Sequence, residues 1–371
     1  MTQKILVTAA NGNTGFTTSL ALLKRGLAVK AVVRNTQSGK SKQLQSLGAE
    51  IVQGNLDDYR DIESALNGVS GAYFCAPFEQ DALLKTANFI VAAEHAAVEH
   101  VVYMNQWLAS AAHPAIHTRE QWLTKQLANL HKNTAYTFIN TGLFGFTYFF
   151  TLEMVTQLGI YPTLLTKHEL AHKALNAPPS EEDQGRVIAE ILQKTDNHKF
   201  KTYRITGPKL ISHQDVIDCY SQALGRKIRP MTISKKMLFK SLKAMGFDTY
   251  QMVNVNYYLE ELEHGVFASK EGVNDLVFEL TGEHAESFEM ILQRHLQQSG
   301  LQNRTFSSVT NALLFFVKML FTRSPDLEIF QKQQRFPEFF RAPVYAYESG
   351  DWQQIHLADQ QLLSTNTSDT R

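Results

Sequence analysis

Cysteine is scarce in this sequence, which has only two in 371 residues, Cys75 and Cys219, far apart in the chain. A disulfide framework needs several cysteines at characteristic spacings, and a zinc site needs cysteines or histidines a few residues apart. The sequence shows neither pattern. We therefore predict neither a disulfide-stabilised secreted fold nor a metal site.

An excess of charge of either sign is also absent, because 36 lysine and arginine residues balance 36 aspartate and glutamate residues. Proteins that bind nucleic acid through its phosphates usually carry a positive field or patch. We expect no nucleic-acid partner.

Long hydrophobic runs are missing as well. The most apolar late stretch, residues 312–321, contains Lys318 and falls short of the roughly 20 residues that a membrane helix needs. We interpret it as a helix packed on a core or a partner, and we expect no membrane span. The first residues enter a strand pattern directly instead of forming a charged and then apolar leader, so we expect a cytoplasmic protein.

The composition that is present, 44% hydrophobic and 19% charged, is typical of a globular protein. A chain of this length usually forms two domains, or one domain with a large annex. Up to about residue 145, short β-rich runs alternate with helical segments; after it, longer helical stretches dominate. We predict an α/β domain over residues 1–150, a smaller and mostly helical second domain over residues 151–300 that can return strands to the first sheet, and a helical, aromatic-rich C-terminal extension over residues 301–371.

The alternation in the first half is typical of βαβ units. Predicted strands cover residues 4–8, 28–33, 50–53, 71–75, 100–104 and 136–140, and predicted helices cover residues 14–25, 40–47, 59–66, 80–95 and 118–130. Right-handed crossovers would place these helices on both faces of a parallel sheet. The fold class is therefore a doubly wound α/β sheet. Further along the chain, Ser212 followed by Asp215 predicts the start of another helix.

The segment after the first strand resembles a phosphate-binding turn and reads Ala9-Ala10-Asn11-Gly12-Asn13-Thr14-Gly15. In such a turn the second glycine lets the backbone approach a pyrophosphate, the third lets the helix pack close to the strand, and the helix N-terminus aims N–H groups at the anion. Gly12 and Gly15 match these two positions. Ala9 replaces the first glycine, and we expect a negative φ there, because alanine is strained at positive φ. The context between strand and helix predicts a dinucleotide site.

The end of the second strand distinguishes the two nicotinamide cofactors, because an acidic residue there would bind the ribose hydroxyls of NAD. This strand ends instead in Arg34, whose planar guanidinium pairs well with a 2′-phosphate, and Lys40 and Lys42 follow. The pattern favours NADP(H) over NAD(H). The alternative is that Arg34 is an exposed strand-end residue without a ligand.

These features, together with several motifs, make the chain resemble the NmrA-like proteins, atypical short-chain dehydrogenases/reductases with an NAD(P)-binding Rossmann fold. The resemblance covers roughly the first 300 residues. Its motifs are Asn11-Gly12-Asn13-Thr14-Gly15, Arg34, Gly54-Asn55-Leu56-Asp57, Leu66-Asn67-Gly68-Val69, His100-Val101-Val102-Tyr103, residues 136–144, residues 203–208 and residues 211–216. That family includes NADPH-dependent reductases of quinones and azo dyes, and also redox-sensing regulators that bind the nucleotide.

The resemblance implies roles for particular residues. Gly12, Asn13, Thr14 and Gly15 would line the pyrophosphate, with Ala9 and Asn11 in the same turn, and Arg34 would contact the 2′-phosphate. Asn55 and Leu56 would flank the adenine. Ala76 and Pro77 would run beside the ribose and the nicotinamide.

One motif of the wider superfamily is missing. Its reductases use a Tyr-x-x-x-Lys pair as a proton relay. Here Gln121 stands four residues before Lys125, and the serine usually found after the fifth strand is replaced within Met104-Asn105-Gln106-Trp107. The remaining catalytic candidates are Asn105 and Gln106, which could orient a carbonyl, and the titratable Lys125 and His117. Each is also compatible with a purely structural role.

Two functions follow. One is a reductase that transfers hydride from NADP(H) to a quinone-like or other electron-poor small molecule, with the proton coming from solvent. The other is an NADP(H)-responsive sensor that acts through a regulatory protein partner. An open cleft at the nicotinamide end would favour the enzyme, and a cleft filled by residues 148–158 or by the tail would favour the sensor. The sequence leaves open whether the protein forms a homo-oligomer.

Overall fold

The computed structural model describes residues 3–131, 133–268, 272–336 and 342–355. Residues 337–341 and 356–371 of the predicted C-terminal extension therefore lie outside the described residues. The strands are β1 Lys4–Val7, β2 Ala28–Val33, β3 Glu50–Gln53, β4 Gly71–Cys75, β5 His100–Gln106, β6 Ala135–Thr141, β7 Ile160–Thr163, β8 Thr202–Ile205 and β9 Arg229–Thr232. The α-helices are α1 Asn13–Lys24, α2 Gly39–Ser46, α3 Tyr59–Leu66, α4 Ala82–His95, α5 Ile116–Asn129, α6 Glu181–Gln193, α7 His213–Ala223, α8 Lys235–Ala244, α9 Thr249–Glu263, α10 Leu276–Thr281, α11 Phe288–Ser299, α12 Phe306–Phe321 and α13 Leu327–Gln333.

The main sheet has seven parallel strands in the described part of the chain, in the order β3-β2-β1-β4-β5-β6-β8. The order reverses between β1 and β4. In open α/β sheets, ligands bind at the carboxyl edge of the strands beside such a reversal. The strand order therefore places the site at the turn after β1 and at the ends of β2, β4 and β5.

Both faces of this sheet are covered, because alternate residues of each strand point to opposite sides. On β1, Ile5 and Val7 belong to one apolar cluster, which includes Leu22 of α1 and Ile188 of α6. The intervening Leu6 belongs to a second cluster with residues of α3 and α4. The doubly wound α/β class predicted from the sequence is confirmed.

Helices α1 and α6 approach each other very closely. A Cβ atom added at Gly185 of α6 would lie 2.7 Å from the backbone carbon of Thr17 in α1. The Thr17 hydroxyl donates to the carbonyl oxygen of Glu181 over 2.7 Å. A segment from the second half of the chain thus packs directly on the helix that follows the glycine turn.

The second half returns one strand, β8, to the main sheet and also forms a separate parallel pair, β7 with β9. Its helices surround an apolar cluster that includes Tyr148, Tyr220 and Phe288. Ser212 caps α7 in a capping box with Asp215, as predicted. The domain division near residues 150 and 300 stays a prediction.

Two details differ from the sequence prediction. Strand β5 was expected to end at residue 104 but continues to Gln106, because Asn105 and Gln106 stay in register with Asn140 and Thr141 of β6. The apolar residues 312–321 are helical, but within α12 only Ala312 and Met319 are buried. None of the helices in the described ranges has both the length and the apolarity needed to cross a membrane.

Candidate functional site

The turn between β1 and α1 keeps the shape of a phosphate-binding turn without its first glycine. Ala9 has φ +48°, so the expectation of a negative φ was wrong. The amide of Gly12 donates to the carbonyl oxygen of Ala9 over 2.7 Å and closes the turn. The tight turn requires the left-handed conformation whichever residue stands there, and alanine adopts it at a cost of about 1 kcal/mol.

Gly15 is required by the same geometry. A Cβ atom there would lie 2.3 Å from the carbonyl oxygen of Ala9, and one at Gly12 would lie 3.0 Å from that oxygen. Gly12 is the N-cap of α1 and contributes no side-chain hydrogen bond to the helix. Gly12 and Asn13 are exposed, and the first N–H groups of an α-helix have no acceptor within the helix, so this helix end suits an anion.

The side chains of this turn mainly brace it. The Asn11 amide donates to the carbonyl oxygen of Asn35 over 3.2 Å, and its oxygen accepts from the Ser41 hydroxyl over 3.0 Å. The Thr14 hydroxyl is buried and donates to the Gln184 amide oxygen over 3.4 Å. These contacts tie the turn to the end of β2 and to α6.

Positive charge lies beside the turn. Arg34 directly follows β2 and is exposed. The Lys40 ammonium lies 5.0 Å from the ring centroid of Phe16 in α1. Burial lowers the pKa of Lys40, while Glu181 and Glu182 partly oppose that change. Arg34 therefore presents the more accessible cation beside the glycine turn.

A small open pocket lies beside the ends of β1, β2 and β3. Asn55 and Leu56 line it; their role beside an adenine ring stays a prediction. The backbone N–H of Asn55 donates to the Asp61 carboxylate over 3.0 Å, which fixes the backbone of this loop. The remaining lining residues are Leu6, Thr8, Val32, Gly54, Asp61, Ile62, Ala65 and Phe89.

A buried lysine that the sequence analysis missed joins two loops at this edge. Lys85 of α4 contacts Asp57 over 3.0 Å and Asp81 over 2.8 Å, and it also pairs with Glu79. Burial alone would lower the pKa of Lys85, but hydrogen bonds to the three carboxylates outweigh that effect and raise it. Lys85 thus links the loop after β3 to the loop after β4.

The loop after β4 contains Ala76 and Pro77, both half-buried, followed by Phe78. The Phe78 ring lies 4.9 Å from that of His117 in α5. The backbone oxygen of Phe78 accepts from the Gln251 amide of α9 over 2.7 Å. This loop is therefore fixed between α5 and α9 at the carboxyl edge of the sheet.

Asn105 is the best-placed polar candidate. It is buried near the carboxyl end of β5, and its oxygen accepts from the Gln106 N–H over 2.8 Å. Its Nδ2 is buried and has no hydrogen-bond partner among the described residues. Leaving such a donor unpaired is costly, and a ligand oxygen would satisfy it. The Gln106 side-chain oxygen instead accepts from the Thr118 hydroxyl over 3.0 Å.

His117 lies in a buried polar group. Its Nδ1 is 3.5 Å from the hydroxyl of Tyr250 in α9 and 3.5 Å from the Glu120 carboxylate. The Tyr250 hydroxyl donates to Glu120 over 2.9 Å, and burial raises the pKa of Tyr250. Tyr250 is therefore a poor acid at neutral pH. The Gln121 Nε2 lies 3.5 Å from the His117 Nε2. Gln121 is the residue four positions before Lys125, where the relay tyrosine was sought.

Comparison with known proteins identifies the family. A model of the NmrA-like family matches residues 1–282. This chain belongs to the NmrA-like family. It is 25% identical over 299 residues to the NAD(P)H azoreductase of Xenophilus azovorans, a match that covers 80% of this chain and 99% of that protein.

Solved structures share the fold of this NmrA-like protein. The triphenylmethane reductase of Citrobacter sp. has 22% sequence identity and a TM-score of 0.66, with 79% of this chain and 99% of that chain covered. The NADPH-dependent quinone oxidoreductase of Escherichia coli has 20% identity and a TM-score of 0.63, with the same coverage. Residues 283–371 lie beyond the family match.

Lys125 of this NmrA-like protein lies away from the carboxyl edge. Its ammonium donates to the Thr202 hydroxyl over 3.1 Å and lies 5.7 Å from the Phe138 ring centroid. Phe138 and Thr202 pair three residues before the end of β6. The structure therefore brings Asn105, Gln106 and His117 towards the loop after β4 but leaves Lys125 apart from them.

The segment that follows the family match packs on the loop between β5 and α5. The Trp352 Nε1 donates to the carbonyl oxygen of Trp107 over 3.2 Å. On the other side, the Arg204 guanidinium lies 3.9 Å from the Trp107 ring centroid. Trp107 is only 4% exposed. Part of the predicted C-terminal extension thus covers the residue that directly follows β5.

A buried contact between a histidine and a carboxylate anchors the same segment. His113 Nε2 lies 3.0 Å from the Glu261 carboxylate, and both side chains are fully buried. The carboxylate also accepts the backbone N–H groups of Ala346 and Tyr347, the latter over 3.2 Å. Glu261 of α9 therefore connects the loop before α5 to residues near the end of the described chain.

Proposed function

We propose that this protein binds NADP(H) and is a reductase that transfers hydride to a quinone-like or other electron-poor small molecule. The observation that carries the proposal is the glycine turn with exposed Arg34 beside it. The first N–H groups of α1 suit the pyrophosphate, and the Arg34 guanidinium suits a 2′-phosphate. The adenine ring would lie against the apolar-lined pocket at Asn55 and Leu56.

The residues fit this cofactor in a second respect. A side chain at Gly15 would collide with the turn, so glycine preserves the close packing that the pyrophosphate site needs. The named relatives support the same function, since they are an azoreductase, a triphenylmethane reductase and a quinone oxidoreductase. The Citrobacter enzyme has also been solved as a complex with NADP(H).

The proposed hydride transfer requires little acid catalysis by the protein. When bound, NADPH would supply the hydride, and an electron-poor acceptor needs mainly alignment. Asn105 would orient the acceptor or the carboxamide of the cofactor through its unpaired Nδ2. Gln106 and His117 would shape the surroundings, and solvent would supply the proton.

The test is a fluorescence titration of the purified protein with NADPH and with NADH, followed by addition of quinones and azo dyes. The proposal predicts tighter binding of NADPH and oxidation of NADPH that depends on the acceptor. The Asn105→Ala variant should bind NADPH but turn over more slowly. Absence of binding to either nucleotide would overturn the proposal.

A second candidate is an NADP(H)-responsive sensor that acts through a protein partner. The observation that favours it is the cover on Trp107, because a closed nicotinamide end suits a sensor better than an enzyme. Tight NADPH binding without turnover of any acceptor would support this alternative.

A further inference from the structure

Helix α12 exposes one continuous apolar face. We name this face the apolar stripe, and it is unusual because large hydrophobic side chains are rarely exposed side by side on a helix. The most exposed members are Phe306 at 91%, Phe321 at 86% and Leu314 at 61%. The others are Leu313, Val317 and Leu320. The members from Leu313 to Phe321 recur at three and four residues, and Phe306 lies seven residues before Leu313, so all share one side of the helix, opposite the buried Ala312 and Met319.

Basic residues border the stripe, and acidic ones are missing from both helices that form this surface. Residues 306–325 and 233–247 contain no aspartate or glutamate. We name Lys236, Lys240, Lys243, Lys318 and Arg323 the basic rim; Lys235 pairs with Glu260 of α9 and is not included.

Two contacts hold α8 and α12 side by side. The Lys318 ammonium donates to the carbonyl oxygen of Ala244 over 3.0 Å, and the Lys240 ammonium donates to that of Leu320 over 2.7 Å. The basic rim therefore lies next to the apolar stripe on one surface.

We propose that the apolar stripe and the basic rim dock this protein on the surface of an anionic lipid bilayer. A helix with an apolar face and a lysine-rich flank lies in the membrane interface, with the apolar side chains among the acyl chains and the cations near anionic headgroups. Helix α12 has 16 residues and would lie along the surface rather than cross it.

Charge complementarity favours this occupant over a second copy of the chain. A two-fold interface brings the same patch of each copy together. The basic rims would then face each other without any acidic residue of α8 or α12 to neutralise them, which is unfavourable. An anionic bilayer offers acyl chains to the apolar stripe and negative headgroups to the basic rim.

The proposal goes beyond the proposed function and does not depend on it. The stripe belongs to residues that follow the family match, which ends at residue 282. Vesicle binding can therefore be measured without cofactor or acceptor, and its failure would leave the reductase proposal intact.

The experiment is co-sedimentation of the full chain with vesicles of phosphatidylcholine alone or of phosphatidylcholine mixed with phosphatidylglycerol. We expect the protein to sediment with the mixed vesicles and to dissociate as salt is raised. The double variant Leu314→Glu with Phe321→Glu should lose at least about tenfold in vesicle affinity, because it places charges in the stripe.

Matched controls separate docking from general surface effects. The pair Leu130→Glu with Phe200→Glu changes residues that are 75% and 74% exposed outside both helices, and it should sediment as the wild type does. Lys236→Glu with Lys243→Glu should weaken binding to the mixed vesicles only, whereas Lys24→Glu with Lys167→Glu should not. Circular dichroism checks that each variant is folded.

Three results would overturn the proposal. The first is a wild-type protein that binds the mixed vesicles no better than the neutral ones, or a folded stripe variant that binds the mixed vesicles as tightly as the wild type does. The second is light scattering that shows an oligomer which the stripe substitutions dissociate, since a second copy would then cover the stripe. The third is vesicle binding that appears only after residues 356–371 are removed, because the chain itself would then cover it.

Discussion

The indole ring of Trp352 stands edge-on to that of Trp107, with ring centroids 5.5 Å apart and an angle of 83° between the planes. The two residues are 245 positions apart in the sequence. Edge-to-face contact is a favoured arrangement of aromatic rings. This pair therefore fastens the end of the described chain to the loop that follows β5.

Removing the Trp352 ring tests this contact. Trp352→Ala should lower the free energy of unfolding by about 3 kcal/mol, because a buried aromatic side chain is lost. Trp352→Phe keeps a ring but loses the hydrogen bond, so it should cost only about 1 kcal/mol. Urea denaturation measures both. If the reductase proposal holds, the Trp352→Ala variant should also reduce azo dyes that are too bulky for the wild type. Equal free energies of unfolding for the two variants would contradict a stabilising Trp352–Trp107 contact.

We predict that Arg34 determines which nucleotide the protein prefers. Arg34→Ala should weaken NADPH binding by about 10- to 100-fold, because hydrogen bonds to a charged phosphate are lost. NADH binding should stay nearly unchanged, since NADH has no 2′-phosphate. Fluorescence titration with both nucleotides measures the two constants. Lys24→Ala, which removes an exposed cation at the far end of α1, is the control, and an equal loss for both nucleotides in Arg34→Ala would contradict the assignment.

Two substitutions in the strained turn should change stability in opposite directions. Ala9→Gly should raise the free energy of unfolding by about 0.5 kcal/mol, because relief at φ +48° outweighs the extra flexibility of glycine in the unfolded chain. Gly15→Ala should destabilise the protein and abolish tight NADPH binding, because its Cβ would lie 2.3 Å from the carbonyl oxygen of Ala9. Thermal unfolding and nucleotide titration distinguish the two effects. A destabilised Ala9→Gly would show that the alanine methyl group contributes packing instead.

Buried histidines should make stability depend on pH. Burial lowers the pKa of His213 from the ordinary 6.5 to about 4 and has a similar effect on His100. The unfolded chain then binds protons more readily than the folded one, so stability is full above about pH 6.5 and is lost as the pH falls towards 4. Each histidine can contribute a loss of about 3 kcal/mol at pH 4.

A histidine variant assigns this loss. In His213→Gln, whose amide can replace the 3.1 Å contact between the imidazole and the Thr163 hydroxyl, the loss in the free energy of unfolding between pH 6.5 and pH 4 should be smaller by about 3 kcal/mol. The exposed His168→Gln is the control and should keep the wild-type profile. Urea titrations at several pH values provide the measurement. Identical profiles for all three proteins would assign the acid sensitivity to other groups.

Local patterns explain which parts of the fold and site could be predicted. The strands and helices of the first half could be predicted because each is marked by its own apolar pattern and by the turn residues that bound it in the sequence. Gly12, Gly15 and Arg34 could be proposed as site residues for the same reason, since the turn and the strand end are continuous pieces of chain, and their binding roles stay predictions. The conformation of Ala9 was predicted wrongly, because the demand of the turn exceeds the preference of the residue.

Long-range contacts explain what was missed. Tyr250 approaches His117 from a helix 133 residues away, and Lys85 joins loops that are distant in sequence. No periodicity marks either residue, because a buried polar group is defined by neighbours that only the tertiary fold supplies. The sequence could name Asn105, but only the structure shows that its Nδ2 is unpaired.

The tight contact between Gly185 and Thr17 has a consequence for how the chain can be divided. Helix α6 packs on α1, and β8 pairs with β6. Residues after 180 therefore complete the α/β sheet and its helices. A fragment cut near residue 150 would expose apolar surface on α1 and leave the edge of β6 open to aggregation. The smallest independently folding fragment should therefore extend past β8. We expect a fragment of the first 150 residues not to bind nucleotide.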